Sequence, residues 1–115
     1  MVMHPPKPTR KQKRRYAIVS FNRDDLSYFE MKEVITENYR LLFGSVGLAE
    51  ARLLFVKNTD NSLICRINTE SLDRLRAVML SISNYKRKNL SGRILLVSGT
   101  LKALRAKFFK ASSAP

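Results

Sequence analysis

Ile94-Leu95-Leu96-Val97-Ser98-Gly99-Thr100-Leu101-Lys102-Ala103-Leu104-Arg105-Ala106-Lys107-Phe108-Phe109-Lys110 reads as a strand, a turn and a helix in succession. At about 100° per residue, Leu101, Leu104 and Phe108 share one narrow stripe. Lys102, Arg105, Lys107 and Lys110 spread around the rest of the circumference, and Phe109 lies off the stripe between Arg105 and Lys102. The stripe needs an apolar surface to cover, so it pins the helix to the rest of the chain. The cations then project from a fixed element. That suits a polyanion better than a free basic tail does, because less freedom is lost on binding. The competing reading is a solvated face whose lysines serve solubility.

The preceding elements supply the surface. Arg15 to Phe21 alternates as a strand, with Tyr16, Ile18 and Ser20 on one side and Ala17, Val19 and Phe21 on the other. Asn22 to Asp25 is a polar turn, and Ser27-x-x-Glu30 has the spacing of a capping box. The helix it opens carries Met31, Val34, Ile35, Asn38 and Leu42 at helical period with Tyr39 flanking, and Gly44 and Gly47 end it. Ala51 to Lys57 and Ser62 to Asn68 flank a turn cluster as a hairpin. Asn68 or Thr69 caps a second helix, Glu70 to about Ser83, buried through Leu72, Leu75, Val78, Met79 and Ile82. Tyr85 to Gly92 reads as a basic loop and Arg93 to Val97 as the fourth strand.

The order β-α-β-β-α-β plus a C-terminal helix predicts an α+β sandwich of ferredoxin-like type, a four-stranded antiparallel sheet with two helices on one face. A sheet covered on one side alternates apolar and polar residues. Here Leu53 and Phe55 oppose Leu54 and Val56, while Leu95 and Val97 oppose Ile94 and Leu96. The second face therefore needs a cover too. The C-terminal stripe supplies part of it, and a partner chain is expected to supply the rest.

The 115 residues, 44% of them hydrophobic, predict one domain over 15–110, with a flexible basic arm at 1–14 and a disordered tail at 111–115. No apolar run approaches the roughly 18 residues of a membrane span, and no apolar segment of signal-peptide type follows the basic N-terminus. The single Cys65 excludes an internal disulfide, so a cytoplasmic location is expected, or a nuclear one in a eukaryote. The net charge of +13 is segregated. Residues 1–15 carry six Lys or Arg and no acid, residues 16–73 six basic and nine acidic side chains, and residues 74–115 ten basic and no acidic ones. Excess charge confined to the two ends makes a basic face if the ends converge, and so predicts an acidic partner, nucleic acid before membrane.

No constellation here is catalytic. His4 stands alone in the arm, Cys65 shares a strand side with Leu63 and Ile67 as a core thiol, and no Cys/His cluster has metal spacing. Asp24, Asp25, Glu30, Glu33 and Glu37 are explained by the start of a helix, where the dipole favours carboxylates. Ser98-Gly99-Thr100 presents amides at a helix start but lacks the spacing of a nucleotide loop; Gly99 is expected to supply backbone freedom. The sheet order also invites comparison with the RNA-recognition motif, which stacks bases on aromatics of its central strands. The third strand has no aromatic, and Tyr16 and Phe21 lie on opposite faces of the first. RNA contact is therefore expected from Arg10, Lys11, Lys13, Arg14 and Arg15, from Lys86, Arg87 and Lys88, and from Ser98, Gly99, Thr100, Lys102, Arg105, Lys107, Phe109 and Lys110, through backbone and shape more than base edges.

Assembled in this order, the chain resembles archaeal ribonuclease P protein component 2, a family shared with a small eukaryotic ribonuclease P and MRP subunit. The resemblance covers roughly residues 14–109. It is carried by Arg14-Arg15-Tyr16, Leu63-Ile64-Cys65-Arg66 and above all Val97-Ser98-Gly99-Thr100-Leu101-Lys102 with Arg105, Lys107 and Phe108. Leu95-Leu96 departs from the family, where a glycine often stands before this motif, and the basic loop at 86–88 is atypical. The resemblance implies a noncatalytic subunit of an RNA enzyme whose RNA, with Mg²⁺, cleaves precursor tRNA at the 5′ end. It also implies pairing with protein component 3, as a homodimer within a heterotetramer, and no cofactor held by this chain. The inferred mechanism is charge neutralisation, in which fixed cations lower phosphate repulsion in the folded RNA. Two alternatives compete: a general or ribosomal RNA-binding protein of the same fold, and a protein–protein interaction module with basic solubilising ends. A stand-alone nuclease ranks last, because the acids are used at a helix start.

Overall fold

A computed structural model describes residues 13–59 and 61–113, with the side chains of 110–113 left aside. The expected arm, including Arg10 and Lys11, lies largely outside this range, while residues 111–113 of the expected tail continue the C-terminal helix. The elements are β1 (Arg14–Phe21), α1 (Tyr28–Ala51), β2 (Leu54–Lys57), β3 (Ser62–Asn68), a short 3-10 turn (Thr69–Ser71), α2 (Leu72–Ser81), β4 (Asn84–Tyr85), β5 (Lys88–Asn89), β6 (Gly92–Ser98) and α3 (Leu101–Ser113). The main sheet runs β2-β3-β1-β6 with every neighbouring pair antiparallel. This is the expected α+β, ferredoxin-like sandwich with a C-terminal helix.

The two faces of the sheet have separate cores. Ala17, Val19, Phe21, Leu63, Cys65 and Ile67 pack beneath α1 and α2, with Leu53, Phe55, Ile94 and Val97 at the margin. On the other face Ile18 and Ile64 meet Leu104, with Tyr16, Val56, Leu96, Leu101 and Phe108 around them. The alternation of β1 predicts this split, and the α3 stripe is the second cover. Leu54 remains 47% exposed on the α3 face, so the cover is partial.

Strand β6 corrects the simple alternation. Ile18 pairs with Leu96 but Val19 pairs with Ile94, so Leu95 is the extra residue of a bulge. The bulge puts Ile94 on the same face as Val97 and leaves Leu95 36% exposed.

Helix α1 starts as expected: Glu30 N–H donates to Ser27 Oγ at 3.1 Å and Ser27 N–H to Glu30 Oε1 at 3.1 Å. Its end differs. Gly44 takes φ 75° and ψ 176°, breaking the helix, which resumes and runs to Ala51 before Arg52 caps it in the left-handed region. Strand β2 consequently starts at Leu54, not Ala51. The buried line also differs, since Tyr39 is fully buried and Leu42 is 48% exposed. Tyr39 and Phe43, one turn apart with ring centroids 5.3 Å apart, continue the line that Leu42 was expected to take.

Candidate nucleic-acid interface

Antiparallel pairing of β1 with β6 sets Tyr16 opposite Ser98, so the start of β1 lies beside the turn into α3. Arg14 pairs with Asn68 at the end of β3, and the Lys13 carbonyl accepts from the Thr69 N–H and hydroxyl, each at 2.9 Å. Lys13 is therefore held at this same end. Thr100 caps α3, accepting from Ala103 N–H through its hydroxyl at 3.1 Å and from Leu104 N–H through its carbonyl at 3.1 Å. Leu104 is fully buried beneath the helix, while Lys102, Arg105 and Lys107 are exposed. Phe108 packs inward and Phe109 is 73% exposed, as the wheel predicts. Lys110 lies in α3 with its side chain outside the described residues.

Gly99 does not use the backbone freedom expected of it. It does not occupy the left-handed region. A Cβ there would stand 3.4 Å from Arg15 Nη1, an ordinary contact. Neither conformation nor space within the chain demands a glycine. Ser98 is buried, and Arg15 is held across the turn with its Nη1 donating to the Arg14 carbonyl at 3.3 Å.

The basic stretch 86–88 is not at this end. Tyr16 and Ser98 mark one end of the β1–β6 pair, Phe21 and Gly92 the other, about 17 Å away along β1 at some 3.3 Å per residue. The expected loop is a small hairpin, β4 with β5, turned by Lys86 and Arg87 at φ 51° and 67°. It is clasped to the start of α1. Lys86 Nζ lies 2.9 Å from Glu30 Oε2 and 5.4 Å from the Tyr85 ring centre, and Arg23 Nη1 donates to the Tyr85 carbonyl at 3.0 Å. Lys86 holds Glu30 below the usual carboxylate range, and Arg23, paired with Asp25 at 2.8 Å, holds that carboxyl at about 2.

Ion pairs take up Lys86 of the hairpin but not Arg87 or Lys88 among the described residues. Among the described residues, acids partner Arg23, Arg40, Arg74, Arg76 and Lys86. Arg14, Arg15, Lys102, Arg105 and Lys107 are in no ion pair among those residues. The cations at the α3 end thus keep their charge unneutralised. Arg66 joins them as a residue that site reasoning from sequence missed. It pairs with Tyr16 and Leu54 on the α3 face, and its Nε is buried without a hydrogen-bond partner among the described residues. The available signal was an arginine within an otherwise apolar strand.

Among the described residues no group of three or more His, Cys, Asp or Glu is placed to hold a metal ion. Cys65 is fully buried, and desolvation pushes its thiol pKa up. No described helix is long and apolar enough to cross a membrane.

A ferredoxin-like domain with α3 across its second sheet face and a cationic end is the class that this geometry defines. The chain belongs to the Rpp14/Pop5 family of ribonuclease P proteins, whose model matches residues 4–109. It is 33% identical over 104 residues to ribonuclease P protein component 2 of Pyrococcus abyssi, covering 88% of both chains. It is 31% identical over 106 residues to the protein of that name from Methanococcus aeolicus, covering 90% of this chain and 77% of that one. In fold it is similar to a chain in the cryo-EM structure of yeast ribonuclease MRP, with TM-score 0.66 at 12% identity over 90% of this chain and 97% of that one.

Proposed function

We propose that this chain is a protein subunit of ribonuclease P that binds the catalytic RNA and supports 5′-end maturation of precursor tRNA, without supplying a catalytic group itself. The observation that carries the reading is the set of cations on the start of β1 and on α3, Arg14, Arg15, Lys102, Arg105 and Lys107, none of which is in an ion pair among the described residues. Folded RNA crowds phosphates together. Cations on a pinned helix lower that repulsion and favour the compact, active conformer. The Mg²⁺ that performs the cleavage belongs, in this reading, to the RNA. Family membership supports the assignment.

The test is RNA affinity against salt for wild type and a Lys102→Ala, Arg105→Ala, Lys107→Ala variant. Each phosphate contact contributes roughly 0.7–0.9 to the log–log slope, so the variant's slope is expected to be shallower by about 2–3. An unchanged slope removes α3 from the interface.

The reading extends to assembly with protein component 3 and to self-association into a homodimer within a heterotetramer, in the cytoplasm or, in a eukaryote, the nucleus. Exposed apolar side chains support the protein contacts: Leu41 at 71%, Leu42 at 48% and Val46 at 72% cluster around the Gly44 break. The same patch favours a second reading, a protein-interaction module with basic ends, for which RNA affinity is weak and insensitive to salt.

A further inference from the structure

The structure assigns to the cationic end a preference for paired, A-form RNA over single strands, an inference that rests on the RNA-binding reading above. A single strand gains affinity for a four-stranded sheet by stacking its bases on exposed rings. The middle of that surface is covered here, and Leu54 at its exposed margin carries no ring. Leu101, Leu104 and Phe108 lie across it, and Ile18 and Ile64 beneath them are fully buried. The α3 face of β3 offers Ser62, Ile64 and Arg66, and so no ring. Tyr16, the one aromatic of β1 on this face, is half-buried in the α3 cluster. Phe109 offers one exposed ring outside the sheet, enough for at most a single base.

Among the described residues, what remains for recognition is charge held on rigid elements. Lys102 and Arg105 are about 4.5 Å apart along the α3 axis at 1.5 Å per residue. Arg15 lies across the turn that begins the helix, and Arg66 sits on the neighbouring strand. A fixed array of cations gains most from phosphates that are already fixed, because a flexible strand must be ordered to match it. A duplex also offers two phosphate strands to one face, and it releases more counterions per contact than a single strand does. Backbone contacts carry no sequence information, so the preference is for helical form and not for base order.

Fluorescence anisotropy of the full chain with two labelled probes tests this. One is a mixed-sequence RNA duplex of about 16 base pairs, long enough to present successive minor grooves. The other is an unstructured oligouridine of matching length. At about 0.1 M salt the duplex is expected to bind at least roughly tenfold tighter, with the steeper salt slope. Equal or tighter binding of the oligouridine overturns the inference while leaving RNA binding intact. Binding of neither probe overturns the inference together with the RNA-binding reading.

Discussion

Gly44 adopts φ 75° and ψ 176°, a region essentially reserved for glycine, with nothing within 4 Å of where a Cβ would stand. Gly44→Ala therefore adds backbone strain without a clash, and is expected to lower stability by about 1–3 kcal/mol in urea unfolding. Gly99 is the opposite case, since ordinary backbone and a 3.4 Å neighbour accept a methyl group. Gly99→Ala is expected to leave stability unchanged or raise it by up to about 1 kcal/mol. If the amides of this turn receive an RNA phosphate, its RNA affinity should nevertheless fall, because the added methyl would stand in the phosphate's path. A loss of stability without a loss of affinity would return Gly99 to a purely structural role. The sequence shows two glycines at element ends and cannot separate these cases, because the difference lies in φ and in what packs nearby.

At the scale of elements, α3 is held by few side chains, and Leu104 is the only one of its stripe that is fully buried. Leu104→Ala should cost about 2–5 kcal/mol if the helix stays docked, and less if it detaches. In either case RNA affinity should fall more than for Leu54→Ala, a change at a 47% exposed position on the same face. The β4–β5 hairpin is held by charge. Glu30 and Asp25 both have depressed pKa values, so their contribution is complete at neutral pH and is lost only on acidification below the ordinary carboxylate range, Asp25's as pH falls to about 2. Lys86, raised by Glu30, keeps its contribution up to the ordinary lysine range and loses it only above. NMR signals of 84–89 should therefore move on acidification and hold steady between about pH 5 and 8. Signals unmoved by acid would contradict the clasp. The hairpin was not legible in the sequence because its two left-handed residues are Lys86 and Arg87, where a two-residue turn ordinarily advertises itself with Asn-Gly. The bulge at Leu95 was hidden for a related reason: an apolar run reads the same with or without an extra residue. Strand β3 matched its expected span, Ser62–Asn68, because polar residues bound an apolar core on both sides.

At the scale of the molecule, the strand order converts a linear charge pattern into a spatial one. The sequence showed excess cations at its two ends, and β1 beside β6 places the start of one against the end of the other. The sequence did not show that the third basic cluster, 86–88, sits at the far end against carboxylates, because that depends on the path of the chain after α2. The apolar patch at Leu41, Leu42 and Val46 lies on α1, on the sheet face opposite α3, so protein contacts and RNA contacts need not compete. Val46→Glu is expected to shift the chain towards monomer in light scattering without changing its RNA salt slope. A monomeric wild type would remove the dimer from the account.

Reconstituted cleavage of precursor tRNA tests the central claim most directly. The assay combines ribonuclease P RNA and protein component 3, with this chain present or absent, across a Mg²⁺ titration. The account predicts that the chain lowers the Mg²⁺ needed for half-maximal 5′ cleavage, and that the Lys102→Ala, Arg105→Ala, Lys107→Ala variant loses most of that gain. The same Mg²⁺ requirement and rate with and without the chain would contradict it.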